Sequence, residues 1–304
     1  MNTSSRQAQD EKQWAASTSV VAAVGLTGFK LIVGISTGSL GILAEAAHSG
    51  LDLAAAVMTL VAVRISGRPA DPDHLYGHGK VENLSALAET LLLLMTCGWI
   101  IIEAVKRLVS GRVDVEVNIW SFVVMVTSIA VDASRSRMLY RTAKRHNSQA
   151  LEADALHFST DIWSSAVVIV GLASLLLSRR FPSLAGLRSA DSIAALLVAV
   201  ICIYVIYKLG VRTVHALLDA APAGLAQRIT SAVEQLPGVG NCHNLRIRTA
   251  GAQTFVDVHV LVDGRQTLQE AHDLTQEIER AIQRLAPGSD VTVHPEPAGT
   301  GQGT

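Results

Sequence analysis

Two histidine–aspartate pairs lie inside apolar stretches of the sequence. His48 and Asp52 occur in AEAAHSGLDL, and His157 and Asp161 occur in ALHFSTDIW. A spacing of four residues places each histidine and its aspartate on one face of a helix, one turn apart. Ionisable groups inside a membrane-spanning helix are costly, and they usually mark the path of an ion or a proton. If the pairs face each other, they offer two imidazoles and two carboxylates, a ligand set for a tetrahedral zinc-like ion.

These four residues, called the transport quartet below, also predict competition between metal ions and protons. Two carboxylates neutralise a divalent cation, two neutral imidazoles supply nitrogen ligands, and the same groups bind protons. The alternative is that each pair is an internal hydrogen bond that ties helices together. That alternative accounts for one pair as well as the ion site does, but two pairs at equal spacing favour the ion site.

The composition is that of a membrane protein with a soluble part. Of the 304 residues, 49% are hydrophobic and 17% are charged. The net charge of −1 gives no argument for nucleic-acid binding, and three cysteines without C-x-x-C spacing disfavour a disulfide framework or a thiolate zinc site. Six apolar segments approach the roughly 20 residues that a helix needs to cross a bilayer. We place these segments near 14–36, 40–63, 83–108, 117–139, 151–178 and 190–209.

The distribution of Lys and Arg predicts the orientation in the membrane. These residues are more frequent on the side that carries both termini, the loop at 64–82 and the basic segment at 135–150. By the positive-inside rule this side is cytoplasmic. Residues 1–13 are polar without a signal-peptide pattern, so we expect a cytoplasmic tail there and a transmembrane domain at 14–210.

After about residue 210 the sequence changes to soluble patterns. Two helices and three strands are predicted in the order α-β-β-α-β, at 223–236, 243–249, 253–263, 267–285 and 289–295. Thr267 and Glu270 predict a capping box at the start of the second helix. This order indicates a cytoplasmic α+β domain at 211–297 with an open-faced sheet, followed by a disordered tail at 298–304.

Two further groups of residues could bind metal outside the membrane. The loop triad, Asp71, His74 and His78, lies in ADPDHLYGHGKVE with Glu82 close behind it. The soluble domain contains five candidate ligands on its strands and second helix: His243, His259, His272, His294 and Glu296. Both groups could instead be solvated surface side chains.

Taken in order, these pieces resemble the cation diffusion facilitator family of divalent-metal/proton antiporters. The resemblance covers roughly residues 14–297 and is carried by HSGLD, HGKVE, HFSTDIWSS, LLD at 217–219 and PGSDVTVHPE. It implies a homodimer in the inner membrane, with an all-α domain of six transmembrane helices. It also implies a ferredoxin-like, metallochaperone-like cytoplasmic domain and alternating access, with metal export driven by inward proton movement.

The resemblance further implies a role for each group of residues. The quartet matches the transport site, the loop triad matches a second metal site, and Lys80 and Asp219 match a charge interlock near the membrane surface. The four histidine candidates of the soluble domain match metal positions at the cytoplasmic dimer interface, where zinc would be a regulatory ion: His243, His259, His272 and His294. Some bacterial members have Asp where this chain has His48, and Asp often stands where it has Glu296. Histidine at the first of these positions looks more like the zinc-selective pattern.

We therefore expect a divalent-metal efflux transporter, with Zn²⁺ as substrate, protons as counter-ion and no enzymatic activity. Fe²⁺, Mn²⁺, Co²⁺ and Cd²⁺ stay open as substrates, because the affinity order alone does not decide the metal. A membrane metalloenzyme would need an open coordination position and a general base, as in H-E-x-x-H, and the sequence contains no such motif. A metal sensor would not need a buried quartet, and a tight four-ligand site holds ions too long for a passive channel.

Overall fold

A computed structural model of the chain describes residues 3–110, 119–180 and 190–298. The chain divides into two compact units between Thr213 and Val214. Residues 117–118, where the fourth apolar segment is predicted to begin, lie outside the described residues. Residues 299–304, for which disorder is predicted, lie outside them as well.

The first unit is helical, as predicted for the transmembrane domain. Its described residues form α1 (Thr3–Thr37), α2 (Leu40–Ser66), α3 (Lys80–Ser110), α4 (Ile119–His146), α5 (Gln149–Arg180) and α6 (Ala190–Leu217). Within these helices, four described stretches are long and apolar enough to cross a membrane: Arg6–Thr37, Leu40–Ser66, Lys80–Trp99 and Ala199–Leu217. Helices α4 and α5 have comparable lengths of 28 and 32 residues.

Helix α1 begins at Thr3, inside the segment that the sequence predicts as a tail over residues 1–13. Polar side chains of this segment are packed rather than solvated. Lys12 is buried, and the side-chain amide of Gln9 donates a hydrogen bond to the carbonyl oxygen of Val63. The hydrogen bond to Val63 joins the first turns of α1 to α2, a contact that composition alone does not reveal.

Buried Glu82 joins several helices at one end of this unit. Its Oε1 accepts hydrogen bonds from Lys12 Nζ at 2.7 Å and from Ser66 Oγ at 2.8 Å, and its Oε2 accepts one from Ser148 Oγ. A buried carboxylate costs several kcal/mol of desolvation unless it is paired in this way. Glu82, which the sequence places beside the loop triad, therefore belongs to the helix packing instead.

The second unit has the α-β-β-α-β order that the sequence predicts. Its elements are α7 (Leu225–Glu234), β1 (Asn241–Ala250), β2 (Gln253–Asp263), α8 (Leu268–Leu285) and β3 (Asp290–Ala298). The sheet order is β1-β2-β3, with β1 and β2 antiparallel and β2 and β3 parallel. This small α+β fold with a three-stranded sheet confirms the predicted fold class.

The helices cover only one face of this sheet. Val258 and Val260 of β2 are buried in a cluster with Ile229 of α7 and Ile278 of α8. Because successive residues of a strand face opposite sides, His259 lies on the face away from the helices. The strand register aligns His243 with His259, and His259 with His294. The open face of the sheet therefore carries one histidine from each strand, side by side.

The predicted capping box is present at the start of α8. Thr267 Oγ1 accepts a hydrogen bond from the backbone N–H of Glu270 at 3.3 Å, and the Glu270 carboxylate accepts one from the N–H of Thr267 at 2.7 Å. The hydrogen bond from the Thr267 backbone holds the pKa of Glu270 below its usual value. Both amide groups belong to the helix terminus and have no partner inside the helix.

We expect Thr267→Ala to lower the free energy of unfolding of the second unit by about 1 kcal/mol, because it leaves the Glu270 amide without its capping oxygen. Denaturant unfolding of the fragment 214–304 measures this loss. Thr275→Ala is the matched control, since that hydroxyl only donates to the carbonyl of His272 within the same helix. Equal stability of the two variants would contradict a stabilising role for the cap.

Candidate metal-binding sites

The transport quartet comes together between α2 and α5. His157 Nε2 lies 3.2 Å from Asp52 Oδ1 and 3.4 Å from Asp161 Oδ2. His48 Nε2 lies 3.8 Å from Asp52 Oδ1. Ligand atoms of His48, Asp52 and Asp161 all lie within 4.8 Å of one another. Two imidazole nitrogens and two carboxylates therefore face one small volume between the helices.

Exposure increases across the quartet from α5 to α2. The side chain of His157 is 5% exposed, those of Asp52 and Asp161 are 14% exposed, and that of His48 is 41% exposed. Asp161 Oδ2 is buried and has no hydrogen-bond partner among the described residues. Its nearest positive partner is the His157 ring at 3.4 Å, and a bound cation would give this buried oxygen a stronger interaction.

Helix α1 fixes the turn of α2 that carries His48. Lys30 Nζ is buried and donates hydrogen bonds to Ser49 Oγ at 2.7 Å and to Glu45 Oε2 at 3.2 Å. Thr27 Oγ1 donates to the Ser49 carbonyl oxygen at 3.0 Å. The spacing patterns of the sequence do not predict this role for Lys30. Its signal is a lysine in the middle of an apolar segment, GFKLIVG.

Helix α4 contributes a buried cation, Arg135, beside the quartet. From the sequence, Arg135 is predicted only as one of the basic charges of the segment at 135–150. The guanidinium of Arg135 lies 3.6 Å from the centre of the Phe158 ring, next to His157 in the chain. Its Nη1 lies 3.3 Å from Asp132 Oδ1, and its Nε and Nη2 donate to Ser19 Oγ at 3.2 and 3.1 Å. Arg135 thus links α4 to α1 and packs behind the metal-facing side of α5.

The loop triad forms a compact group between α2 and α3. Asp71 lies between the two histidines, with Oδ1 3.1 Å from His74 Nδ1 and Oδ2 3.3 Å from His78 Nε2. Desolvation alone would raise the pKa of Asp71, but hydrogen bonds from His74 and Asp73 outweigh it and hold that pKa below its usual value. Gly77, at φ +74°, allows the chain to turn back so that the two rings approach to 4.4 Å. The ligand types and spacing fit a surface cation site.

On the open face of the sheet, Glu296 connects the three aligned histidines. Its carboxylate oxygens lie 2.7 Å from His259 Nδ1, 3.4 Å from His243 Nε2 and 3.8 Å from His294 Nε2. The hydrogen bond from His259 lowers the pKa of Glu296 below its usual value. These four residues are called the sheet cluster below. His243, His259 and Glu296 offer ligand atoms within 4.8 Å of one another.

The structure does not bring His272 to the sheet cluster within one chain. His272 is exposed on α8, where its Nε2 lies 3.0 Å from Gln276 Nε2. Because α8 packs on the covered face of the sheet, a second copy of the chain would have to present this residue to the cluster. Lys80 and Asp219 belong to different units, so their charge interlock stays a prediction.

Comparison with known proteins assigns the chain to one family. The chain matches the cation efflux transmembrane domain over residues 17–218 and the cation efflux protein cytoplasmic domain over residues 222–298. The cation-efflux pump FieF of Yersinia enterocolitica is 32% identical over 289 residues, covering 94% of this chain and 92% of that protein. FieF of Serratia proteamaculans is 32% identical over 271 residues, covering 88% and 87% respectively.

Among solved structures, the metal-bound C-terminal domain of the CzcD transporter from Thermotoga maritima is 33% identical. The match covers 26% of the present chain and 92% of the CzcD domain, with a TM-score of 0.24. The two family matches follow one another along the chain in the same order as the helical unit and the α+β unit. The chain therefore belongs to the cation diffusion facilitator family and is a membrane cation efflux transporter with a helical transmembrane domain and a cytoplasmic α+β domain.

Proposed function

We propose that this transporter exports Zn²⁺ from the cytoplasm in exchange for protons, with the transport quartet as the substrate site. The observation that carries the proposal is the position of His157 Nε2 between the carboxylates of Asp52 and Asp161. Zinc prefers four ligands in a tetrahedral arrangement and accepts mixtures of imidazole and carboxylate. Two carboxylates also balance its charge, which lowers the free-energy cost of holding the ion inside the membrane.

Proton exchange follows from the ligands themselves. His157 Nε2 is at hydrogen-bonding distance from Asp52 Oδ1, so in the metal-free site a proton is held between two groups that must both give lone pairs to a metal. Zinc and this proton therefore compete for the same atoms. If the site opens to one side of the membrane at a time, metal moves outward and protons move inward through a single site.

The oligomer and the remaining metal groups fit the same proposal. We infer a homodimer in the inner membrane with both termini in the cytoplasm, and a charge interlock of Lys80 with Asp219 near the membrane surface. The loop triad serves as a surface metal site. The sheet cluster binds regulatory zinc at the contact between two cytoplasmic domains, with His272 of the partner subunit as an added ligand. Zinc bound there favours the paired arrangement by differential binding.

We expect Asp161→Asn to reduce zinc uptake into proteoliposomes by roughly 100-fold or more, because it removes one of the two charges that balance the ion. The matched control is Glu45→Gln on α2, whose carboxyl is 55% exposed and paired with Lys30. Both variants should be recovered from the membrane at wild-type levels. Zinc flux within twofold of wild type in Asp161→Asn would contradict the assignment of the site.

We expect His48→Asp to shift the ion preference toward Mn²⁺, Fe²⁺ and Cd²⁺ by about tenfold relative to Zn²⁺, since it exchanges a nitrogen ligand for a harder oxygen ligand. Because His48 is the most exposed member of the quartet, its replacement disturbs the packing least. Competition between zinc and each ion in the same liposome assay measures the preference. An unchanged ranking would remove His48 from the ligand set.

We expect zinc to raise the melting temperature of the isolated fragment 214–304 and to increase its dimerisation, measured against the same fragment with chelator. The double variant His259→Ala, His294→Ala should lose this response because two of the three aligned imidazoles are gone. His215→Ala, a histidine outside the cluster, is the control. A wild-type fragment that does not respond to zinc, or a double variant that still does, would refute the regulatory site.

A further inference from the structure

Two carboxylates lie deep between α3 and α5, outside the transport quartet. Glu89 on α3 and Asp154 on α5 are both 0% exposed. One oxygen of each has a hydroxyl donor: Thr59 Oγ1 donates to Glu89 Oε1, and Ser19 Oγ donates to Asp154 Oδ2 at 3.4 Å. The other oxygens, Oε2 of Glu89 and Oδ1 of Asp154, have no hydrogen-bond partner among the described residues.

The packing keeps these two groups in place. Ala86, one turn before Glu89, and Ala153, next to Asp154, are both fully buried and belong to one cluster with Leu209 of α6. The small side chains bring α3 and α5 close together. Glu89 and Asp154 therefore lie on two packed helices, one turn and one residue away from this shared cluster.

The two carboxyl groups differ in whether a cationic side chain lies close to them. Asp154 is one hydroxyl away from a cation, because Ser19 Oγ accepts hydrogen bonds from the Arg135 guanidinium while donating to Asp154. Glu89 Oε1 accepts a hydrogen bond from the neutral Thr59 hydroxyl of α2, and no cationic side chain donates to Glu89 among the described residues. Two adjacent buried carboxylates cannot both remain ionised without compensation, so one of them holds a proton.

We propose that Glu89 is a proton-binding site coupled to the transport quartet, and that it carries one of the exchanged protons. The proposal rests on the proton exchange described above and adds a specific carrier to it. Asp154 stays ionised because Arg135 is close, and Glu89 takes the proton. His157 connects the two sites, since its Nε2 lies 3.2 Å from Asp52 Oδ1 and 3.4 Å from Asp161 Oδ2, and it follows Asp154 by one turn of α5.

The coupling is electrostatic and has a defined direction. When a divalent cation binds the quartet, its positive charge favours an ionised Glu89, so the O–H bond breaks and the proton leaves to the side that supplied the metal. When the metal departs on the other side, Glu89 takes up a proton from that side. One turnover thus carries one proton inward on Glu89 while one metal ion moves outward.

The test is the number of protons moved per zinc ion by the full-length protein in proteoliposomes, with zinc flux and internal pH recorded together. We expect Glu89→Gln to transport zinc with a ratio lower by about one proton per zinc ion, and Glu89→Asp to keep the wild-type ratio. Glu82→Gln is the matched control on the same helix. Glu82 is paired with Lys12 outside the quartet, so the ratio should not change.

An unchanged ratio in Glu89→Gln, with proton-coupled transport by the wild type, overturns this inference and leaves the proposed exchange standing. Zinc transport by the wild type without any proton movement overturns both. Infrared spectra of wild-type protein with ¹³C-labelled glutamate give a second measurement that needs no variant. We expect a protonated glutamic-acid carbonyl band that shifts with the label and decreases when zinc is added. Absence of this band at neutral pH also overturns the inference.

Discussion

The arrangement of α2 and α5 depends on His157, which lies within 3.4 Å of two carboxylates that would otherwise repel each other. In a medium with little water, Asp52 and Asp161 need positive charge between them, from a proton on the imidazole or from a metal ion. The neighbouring helices add the buried cations Lys30, which is paired with Glu45, and Arg135, which is paired with Asp132. In the proposed transport cycle, charge balance at this one site couples helix packing, proton binding and metal binding.

Each of the three candidate metal-binding groups places a carboxylate between imidazoles. Asp71 lies between His74 and His78 in the loop, and Glu296 connects the histidines of the sheet. Their exposure differs, however. The loop and sheet groups are partly open to water, where ligand charges are screened and binding is readily reversible. The transport quartet is mostly buried, so its occupancy changes the electrostatic balance of the surrounding helices.

Local sequence patterns predicted much of this structure, because periodicity and capping are properties of neighbouring residues. The α-β-β-α-β order, the capping box of Thr267 and the i, i+4 pairing of the quartet are of this kind. Contacts between distant segments were not predictable in the same way. Lys12 lies in the segment predicted as a cytoplasmic tail, and it is buried against Glu82, 70 residues away. His272 shares its residue type with the sheet cluster, but the helix that carries it packs on the other face.

Zinc X-ray absorption identifies the ligands of the bound ion and so shows directly whether the quartet binds the transported metal. The protein would carry alanine at His74, His78, His259 and His294, so that zinc remains only in the transmembrane unit. We expect about four nitrogen and oxygen ligands at about 2.0–2.1 Å, with the outer scattering that imidazole rings produce. A sulfur shell at about 2.3 Å, which would implicate the buried Cys97 or Cys202, or a spectrum without imidazole scattering, would contradict it.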